Sequence, residues 1–355
     1  MLFLSAQESA EWSALAWEIL RNGAAPGTCD SGIRSNLIPA FYYYTGIMLA
    51  AHGQGERSIE WMREAALCEE HGLLSACYLF GFLERHNGRL TMPAVAFEDP
   101  RPFLHFTSVP IMNEARKHFI ADCGSTLPHF DKPFSMMDIG CGGGGLTVSL
   151  LQRLLDTGKV TEVAEVLLID PSAAMVALAE KTLHAAFPDI HIATMNSRIE
   201  DVSGSIDHHF DLALSSLAYH HMPFEKKRIH LSRLKPRIDH FTLFELDANS
   251  DTPGLYSPEL ALSVYQSFGR VIDRIFLHDA PVEVAVACID QFLMPEMISY
   301  FTKPRGVRTD YHMLQSQWRE LFEESLGSEF SLRCNSPCYA DEYLSLFTMH
   351  YGRDA

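Results

Sequence analysis

The sequence predicts an α/β protein. A doubly wound, mostly parallel sheet, closed by an antiparallel hairpin, follows an N-terminal α-helical cap. Three observations carry this. A glycine cluster ends an apolar run at Phe134-Ser-Met-Met-Asp-Ile-Gly-Cys-Gly-Gly-Gly-Gly. Apolar runs then alternate with stretches of helical spacing, the pattern of a parallel sheet covered on both faces. Residues 1–100 show helical spacing and no convincing strand.

The cap opens with an amphipathic helix at Glu8–Arg21. An internal repeat follows: Ala40–Gly46 with Gly53 matches Ser75–Gly81 with Gly88, each glycine pair 35 residues apart. Helix-pair repeats of tetratricopeptide type have this period, and the segment resembles one and a half of them. Too few repeats are present for a solenoid, so the segment reads as a cap or as a small docking surface for another protein. The aromatic run Phe41–Tyr44 is read as helix-pair core; the alternative is that its tyrosines reach an acceptor. Thr91–Arg101, with Pro93 and Pro100, is the expected linker, and Val109–Cys123 the helix after it.

The first strand is Phe134–Ile139, and the glycines open a helix over 146–155. Gly140, Gly142 and Gly145 fit the G-x-G-x-x-G spacing, which alone marks any nucleotide site. Such turns need glycine because the backbone takes φ angles that a side chain resists, and because a ligand must touch bare backbone. Val166–Ile169 is the second strand; Asp170 at its tip is placed to accept two ribose hydroxyls. Pro171 and Ser172 start the next helix, to Ala186. Ile190–Met195, Phe210–Ser215 and Phe241–Leu246 are strands three to five. Phe330–Arg333 and Tyr343–Met349 form the closing hairpin. Ligands of such sheets sit beyond the carboxyl ends of the strands, where Asp138, Asp170, Ser215 and Glu245 all map.

Asp138 stands two residues before the first glycine, giving Asp-x-Gly-x-Gly-x-Gly with Cys141 and Gly144 inside it. This resembles motif I of the class I S-adenosylmethionine-dependent methyltransferases, whose Rossmann-like fold is the one expected here. The resemblance implies S-adenosyl-L-methionine as cofactor. The turn Gly140–Gly144 and Asp138 would hold the methionine part, Asp170 and Pro171 the ribose side. Arg198 and Ile199 would lie near adenine, though an acid is common where Arg198 stands. Ser215 and Ser216 would lie at the fourth strand tip. Phe103, His105 and Phe106 fall where that family's chain often passes over the cofactor.

A second resemblance follows from Leu212-Ala-Leu-Ser-Ser-Leu-Ala-Tyr-His-His-Met-Pro, His230-Leu-Ser-Arg-Leu-Lys-Pro-Arg, Phe244–Ser250, Tyr265–Asp273 and Trp318–Arg319. Their order is similar to the GRAS family, known mainly as plant transcriptional regulators with a methyltransferase-like fold. It covers about residues 136–325 and is good over 212–273. Plant members largely lack the glycine turn; its presence here implies a bacterial-type relative that still binds the cofactor. The resemblance also implies a helical lid inserted at about 255–303, within a methyltransferase domain spanning 101–355.

Candidate catalytic residues are His220 and His221, whose imidazoles titrate near neutral pH, and Glu245. Each has a structural alternative: a loop hydrogen bond for a histidine, an ion pair with Arg or Lys for Glu245. Asp247 and Asn249 are read as turn caps. Tyr219 and Tyr265 are read as pocket wall or core. Glu225–Arg228 is read as the solvated face of a helix, and His208–His209 as an exposed loop. No metal is expected, since neighbouring histidines on a helix point about 100° apart.

The chain has 355 residues, net charge −17 and eight cysteines. Such acidity repels nucleic acid and anionic membranes at long range. No stretch reads as a bilayer span or secretory leader, and scattered cysteines fit reduced thiols in a cytoplasmic protein. The expected function is methyl transfer to a small-molecule acceptor. The rivals are a non-catalytic S-adenosylmethionine sensor or protein-interaction module, and a nicotinamide dehydrogenase. A homo-oligomer or a protein partner on the cap is left open.

Overall fold

A computed structural model describes residues 2–92 and 100–354. The chain runs α1 (Ala6–Asn22), α2 (Ile38–Ala51), α3 (Gly55–Leu67), α4 (Ser75–Arg85), α5 (Pro100–Ser108) and α6 (Pro110–Thr126). Then come β1 (Phe134–Ile139), α7 (Gly145–Asp156), β2 (Val163–Ile169), α8 (Ala173–Ala186), β3 (His191–Met195), α9 (Ile199–Val202), β4 (Phe210–Ser216), α10 (Phe224–Leu234) and β5 (Ile238–Leu246). The rest is α11 (Pro258–Leu277), α12 (Val282–Cys288), α13 (Met294–Thr302), α14 (Gln315–Leu326), β6 (Phe330–Ala340) and β7 (Ser345–Arg353). The expected linker at Thr91–Arg101 lies, from 93 to 99, outside the described residues.

Contacts divide the chain into two compact units. The first holds residues 1–95, 248–311 and 341–344; the second holds 96–247, 312–340 and 345–355. The insertion after β5 therefore belongs with the N-terminal helices in one helical unit, because their apolar faces pack on one another.

In the helical unit α2 is buried all round, from Pro39 to Ala50, as its unbroken apolar sequence requires. Phe41 and Tyr44 pack on Trp12, and Phe41 also on Trp61, so the aromatic run is core. Tyr265 packs on Tyr43 with the rings tilted and is buried too. The repeat is real at its ends: Gly53 and Gly88 follow α2 and α4 at φ +77° and +72°, left-handed values that end helices. Its inner glycines differ. A Cβ at Gly46 would meet Met62 at 2.8 Å, where α2 crosses α3, whereas Gly81 has only the end of Arg85 near it. Residues Val282–Thr302 form one helical run long and apolar enough to cross a membrane, against the sequence expectation that no stretch is; 61% of its apolar window is buried inside the protein, as in a core helix.

In the second unit the sheet has seven strands in the order β3-β2-β1-β4-β5-β7-β6. Strands β1–β5 are parallel; β7 is antiparallel to β5 and to β6. Side chains alternate across the sheet. Met137, Ile139, Phe241, Leu243 and Phe347 face a core with Leu231 and Leu234 of α10 and Trp318 and Phe322 of α14. Burying each such side chain stabilises by about 1.5–3 kcal/mol. On the opposite face Phe119 of α6 packs on Phe244 of β5. Asp138 lies on this second face, next to α6 and α7. At the amino end of β4, buried Asp211 accepts the Ser135 N–H at 2.8 Å and its hydroxyl at 3.1 Å. That bond fixes β4 beside β1.

Candidate cofactor and catalytic site

Strand order reverses between β1 and β4, which opens a crevice at their carboxyl tips. Ile139 pairs with Ser215 there. Gly140, Gly142 and Gly144 take φ +74°, +49° and +76°. Space is as restrictive. A Cβ would lie 2.3 Å from Ala218 Cβ at Gly140, 2.6 Å from the Phe103 ring at Gly142, and 2.9 Å from Leu183 at Gly144. The first glycine lets the loop after β4 pass. The second leaves bare backbone under Phe103. The third lets α7 start against α8. Gly145 has nothing within 4 Å of a Cβ and no positive φ. The working pattern is therefore Gly-x-Gly-x-Gly, and Gly145 drops out of the G-x-G-x-x-G reading.

Asp170 binds this turn directly. Its Oδ2 accepts the Gly142 N–H at 3.1 Å, and its Oδ1 accepts the Ser172 N–H at 2.8 Å. Burial pushes its carboxyl up, and these two backbone donors oppose the rise. Asp138 is buried and accepts the Thr147 hydroxyl. Burial pushes it up to about 7, against that hydrogen bond. Arg116 of α6 faces it: burial lowers the guanidinium to about 10, and the Asp138 charge opposes this. Arg116 Nε and Ser215 Oγ are buried without hydrogen-bond partners among the described residues.

Other expected cofactor residues are placed unevenly. The Cys141 N–H donates to Ile169 O at 3.1 Å, and its thiol is buried, with its pKa raised by that burial. Pro171 is exposed beside Asp170, and Ser216 is half-buried at the end of β4. The Arg198 side chain is 60% exposed and 3.9 Å from Glu200. The Ile199 side chain is committed to the core. Only its backbone could serve a ligand.

After β4, Leu217 takes φ +50°, an outlier for a side-chain-bearing residue. Its N–H donates to Phe244 O at 2.8 Å. This kink turns the chain back over the tip of β5. Glu245 there is fully buried; its Oε1 accepts the Tyr219 N–H at 3.0 Å and the His220 N–H at 3.3 Å. Its Oε2 lies 2.9 Å from His220 Nδ1. The His220 ring stacks on His312, centroids 4.1 Å apart, and lies 4.2 Å from the His221 ring, which is exposed. Burial raises the Glu245 carboxyl; His312, Lys227 and His221 oppose that. Tyr219 is core, packed on Phe241 and Trp318. Asp247 caps α14 by accepting the Gln315 N–H at 2.9 Å.

Four residues of this neighbourhood escaped the sequence reading: Arg116, Thr147, Lys227 and His312. Lys227 also corrects it. The run Glu225–Arg228 is not wholly a solvated face, because Lys227 is 0% exposed. Its spacing to Leu231 and Leu234 was the available signal.

Residues 136–236 match the family model of a methyltransferase domain. The chain carries a methyltransferase domain. The match runs from β1 through α10, so it includes the glycine turn, Asp170 and the His220 loop. Among solved structures, SCL7 of Oryza sativa is similar at 15% identity over 88% of this chain and 99% of that one, TM-score 0.61. This likeness concerns fold. The magnesium protoporphyrin IX methyltransferase ChlM of Synechocystis PCC 6803 with bound SAH aligns at 15% identity over 69% of this chain and 85% of that one, TM-score 0.41. The cyclopropane synthase MmaA2 of Mycobacterium tuberculosis aligns at 12% identity over 72% and 95%, TM-score 0.44. No curated protein matches the sequence.

S-adenosylmethionine is the methyl donor that such domains use, and the residues of this methyltransferase domain fit it. The glycine cradle is bare backbone that a Cβ would fill. Asp170 retains lone pairs for a diol. Asp138 and the unpartnered Arg116 Nε offer opposite charges for an amino acid's two ends.

Proposed function

We propose that this protein is an S-adenosylmethionine-dependent methyltransferase acting on a small-molecule acceptor, with GRAS-like architecture. One observation carries the reading. Inside the matched methyltransferase segment, Asp138 and Asp170 bracket three left-handed glycines at the point where strand order reverses. The GRAS-like part rests on the ordered motifs of residues 212–273 and agrees with the fold shared with SCL7. A net charge of −17 supports a small acceptor over nucleic acid or a membrane. Eight free cysteines agree with a cytoplasmic location.

When bound, the cofactor supplies an electrophilic methyl group, so alignment and exclusion of water carry much of the catalysis. In this reading the turn at Gly140–Gly144 and Asp138 hold the ammonium end, and Arg116 takes the carboxylate. Asp170 accepts the ribose hydroxyls. Ser215 donates at the β4 tip. Arg198 and the Ile199 backbone border the adenine. Phe103 shields the turn from water. Glu245 accepts the proton on His220 Nδ1, which leaves Nε2 the basic nitrogen. His220 then takes a proton from the acceptor there. His221 adds charge beside Asp170 and Glu245.

Calorimetry with S-adenosylhomocysteine, followed by turnover of methyl-labelled cofactor across an acceptor panel, tests the reading. Binding with turnover supports it. No binding overturns it. Binding without turnover would favour the second reading, a cofactor sensor or a module that docks a protein through its helical unit; the repeat glycines Gly53 and Gly88 are the observation behind that alternative.

A further inference from the structure

We propose that His220, Glu245 and His312 form a binding site for a divalent transition-metal ion of the zinc type, and that an ion held there silences His220 as a base. The site stands on geometry alone; its effect on catalysis rests on the methyltransferase reading, in which His220 is the base.

The three side chains come from three segments of one unit: the turn after β4, the tip of β5 and the stretch just before α14. One ligand atom from each lies within 4.8 Å of the others, and all three residues are buried. Tetrahedral zinc bonds imidazole nitrogen and carboxylate oxygen at about 2.0–2.2 Å, which sets the ligand atoms about 3.3 Å apart. His220 Nδ1 and Glu245 Oε2 are 2.9 Å apart and need only open slightly. His312 needs to close in by no more than about 1.5 Å. Its ring already lies alongside that of His220, tilted by 24° with centroids 4.1 Å apart. The other oxygen of Glu245 accepts the Tyr219 and His220 backbone N–H groups. Those bonds hold Oε2 toward the rings, as supporting hydrogen bonds do around metal-binding carboxylates.

Two imidazoles and one carboxylate suit zinc and its neighbours, whereas magnesium and calcium prefer oxygen ligands throughout. The charge agrees. Glu245 brings one carboxylate. Asp310, also buried, stands two residues before His312, within about 7 Å of it along the backbone. Lys227 is the opposing charge. These three sum to a net negative, which favours a cation. His221 is exposed and its ring lies 4.2 Å from that of His220, so the turn also reaches solvent. The second imidazole is thus His312, from a distant segment, and not the chain neighbour His221, whose ring direction spoke against a metal.

No electron is transferred on binding. The lone pair of His220 Nδ1 bonds the ion, one nitrogen of His312 and Oε2 of Glu245 do the same, and the His220 ring proton moves from Nδ1 to Nε2. A neutral imidazole has a single basic nitrogen. Once the ion holds it, His220 cannot accept a proton from an acceptor.

Zinc chloride is titrated by calorimetry into the chelator-treated full chain, and the histidine rings are followed by NMR, assigned with His220→Gln and His312→Gln. One zinc per chain that shifts the His220 and His312 rings together supports the proposal. In His312→Gln the affinity should fall at least about hundredfold, since even the outer partners of a metal cost about 10–100-fold. In His208→Gln, a surface histidine, it should stay within about threefold. Absence of binding at one zinc per chain, ring shifts confined to other histidines, or unchanged affinity in His312→Gln overturns the site. If His312→Gln does not fold, the wild-type ring shifts decide in the same way. Methyl transfer is read separately. Turnover that zinc stops and a chelator restores supports the silencing; turnover unchanged with zinc bound overturns it. A wild type that binds no S-adenosylhomocysteine sinks the methyltransferase reading, while the zinc titration still reports on the site.

Discussion

Asp170→Ala is the sharpest perturbation of the proposed cofactor site. The carboxylate sits where β2 ends, and each oxygen already takes one backbone N–H, at 3.1 Å from Gly142 and 2.8 Å from Ser172. Each keeps a lone pair for a ribose hydroxyl. Hydrogen bonds to a charged group contribute about 1.5–3 kcal/mol apiece. Two of them, less what water recovers at this half-buried edge, amount to about 3 kcal/mol, or about 150-fold in Kd. Asp170→Asn is no gentle control. Its amide turns one acceptor into a donor that must face the N–H of Gly142 or Ser172, so it should cost nearly as much. Calorimetry with S-adenosylhomocysteine reads both, and thermal unfolding of the ligand-free variants shows that they fold. Folded variants whose Kd stays within about threefold of wild type, under 0.7 kcal/mol, would refute the assignment of the turn and its acid.

Other expectations follow from the same geometry. Burial holds Asp138 up at about 7 in the ligand-free protein. A ligand ammonium beside it favours the anion, so binding releases a proton, and affinity for S-adenosylhomocysteine should fall about tenfold from pH 8 to pH 6. Calorimetry in two buffers of different ionisation enthalpy measures that proton; none released at pH 6.5 contradicts the placement. The same raised value means the folded state holds the proton more tightly than the unfolded chain does. Its contribution to stability is therefore present at low pH and lost as pH rises from about 4 to about 7. Gly140→Ala forces a left-handed alanine against Ala218 and should cost at least about 2 kcal/mol in urea unfolding, along with cofactor affinity. Gly145→Ala, in open space at the start of α7, should leave affinity unchanged and stability equal or higher. Asp211→Ala strands two donors of Ser135 at the far edge of the sheet. It should cost about 1–3 kcal/mol in urea unfolding, with Kd unaltered once the protein is folded.

The strand tips were legible because their signals are local. Asp138, the glycines and Asp170 lie within one strand-turn-helix-strand stretch, where backbone angle and residue type constrain each other. The loop His220–His221 was legible as a place, and Glu245 as a strand tip. Their hydrogen bond was not. It depends on the left-handed kink at Leu217 and on β5 lying beside β4. Arg116, Lys227 and His312 were illegible as neighbours of Asp138 and Glu245 because each lies on a segment that tertiary packing alone brings there. Lys227 was hidden further by exposed basic neighbours, although its spacing to Leu231 and Leu234 placed it on the inner face. The charge run suggested solvent, and burial overrode it.

By itself, then, the sequence determined the alternating strands and helices, the glycine turn and the acids beside it. Apolar periodicity and the conformational freedom of glycine act over a few residues and need no distant partner. Tertiary structure alone decided which helices share a core with the insertion after β5, which glycines are indispensable, and which basic groups surround Glu245. Those outcomes depend on excluded volume and desolvation, and both arise only when segments far apart in the chain are brought into contact.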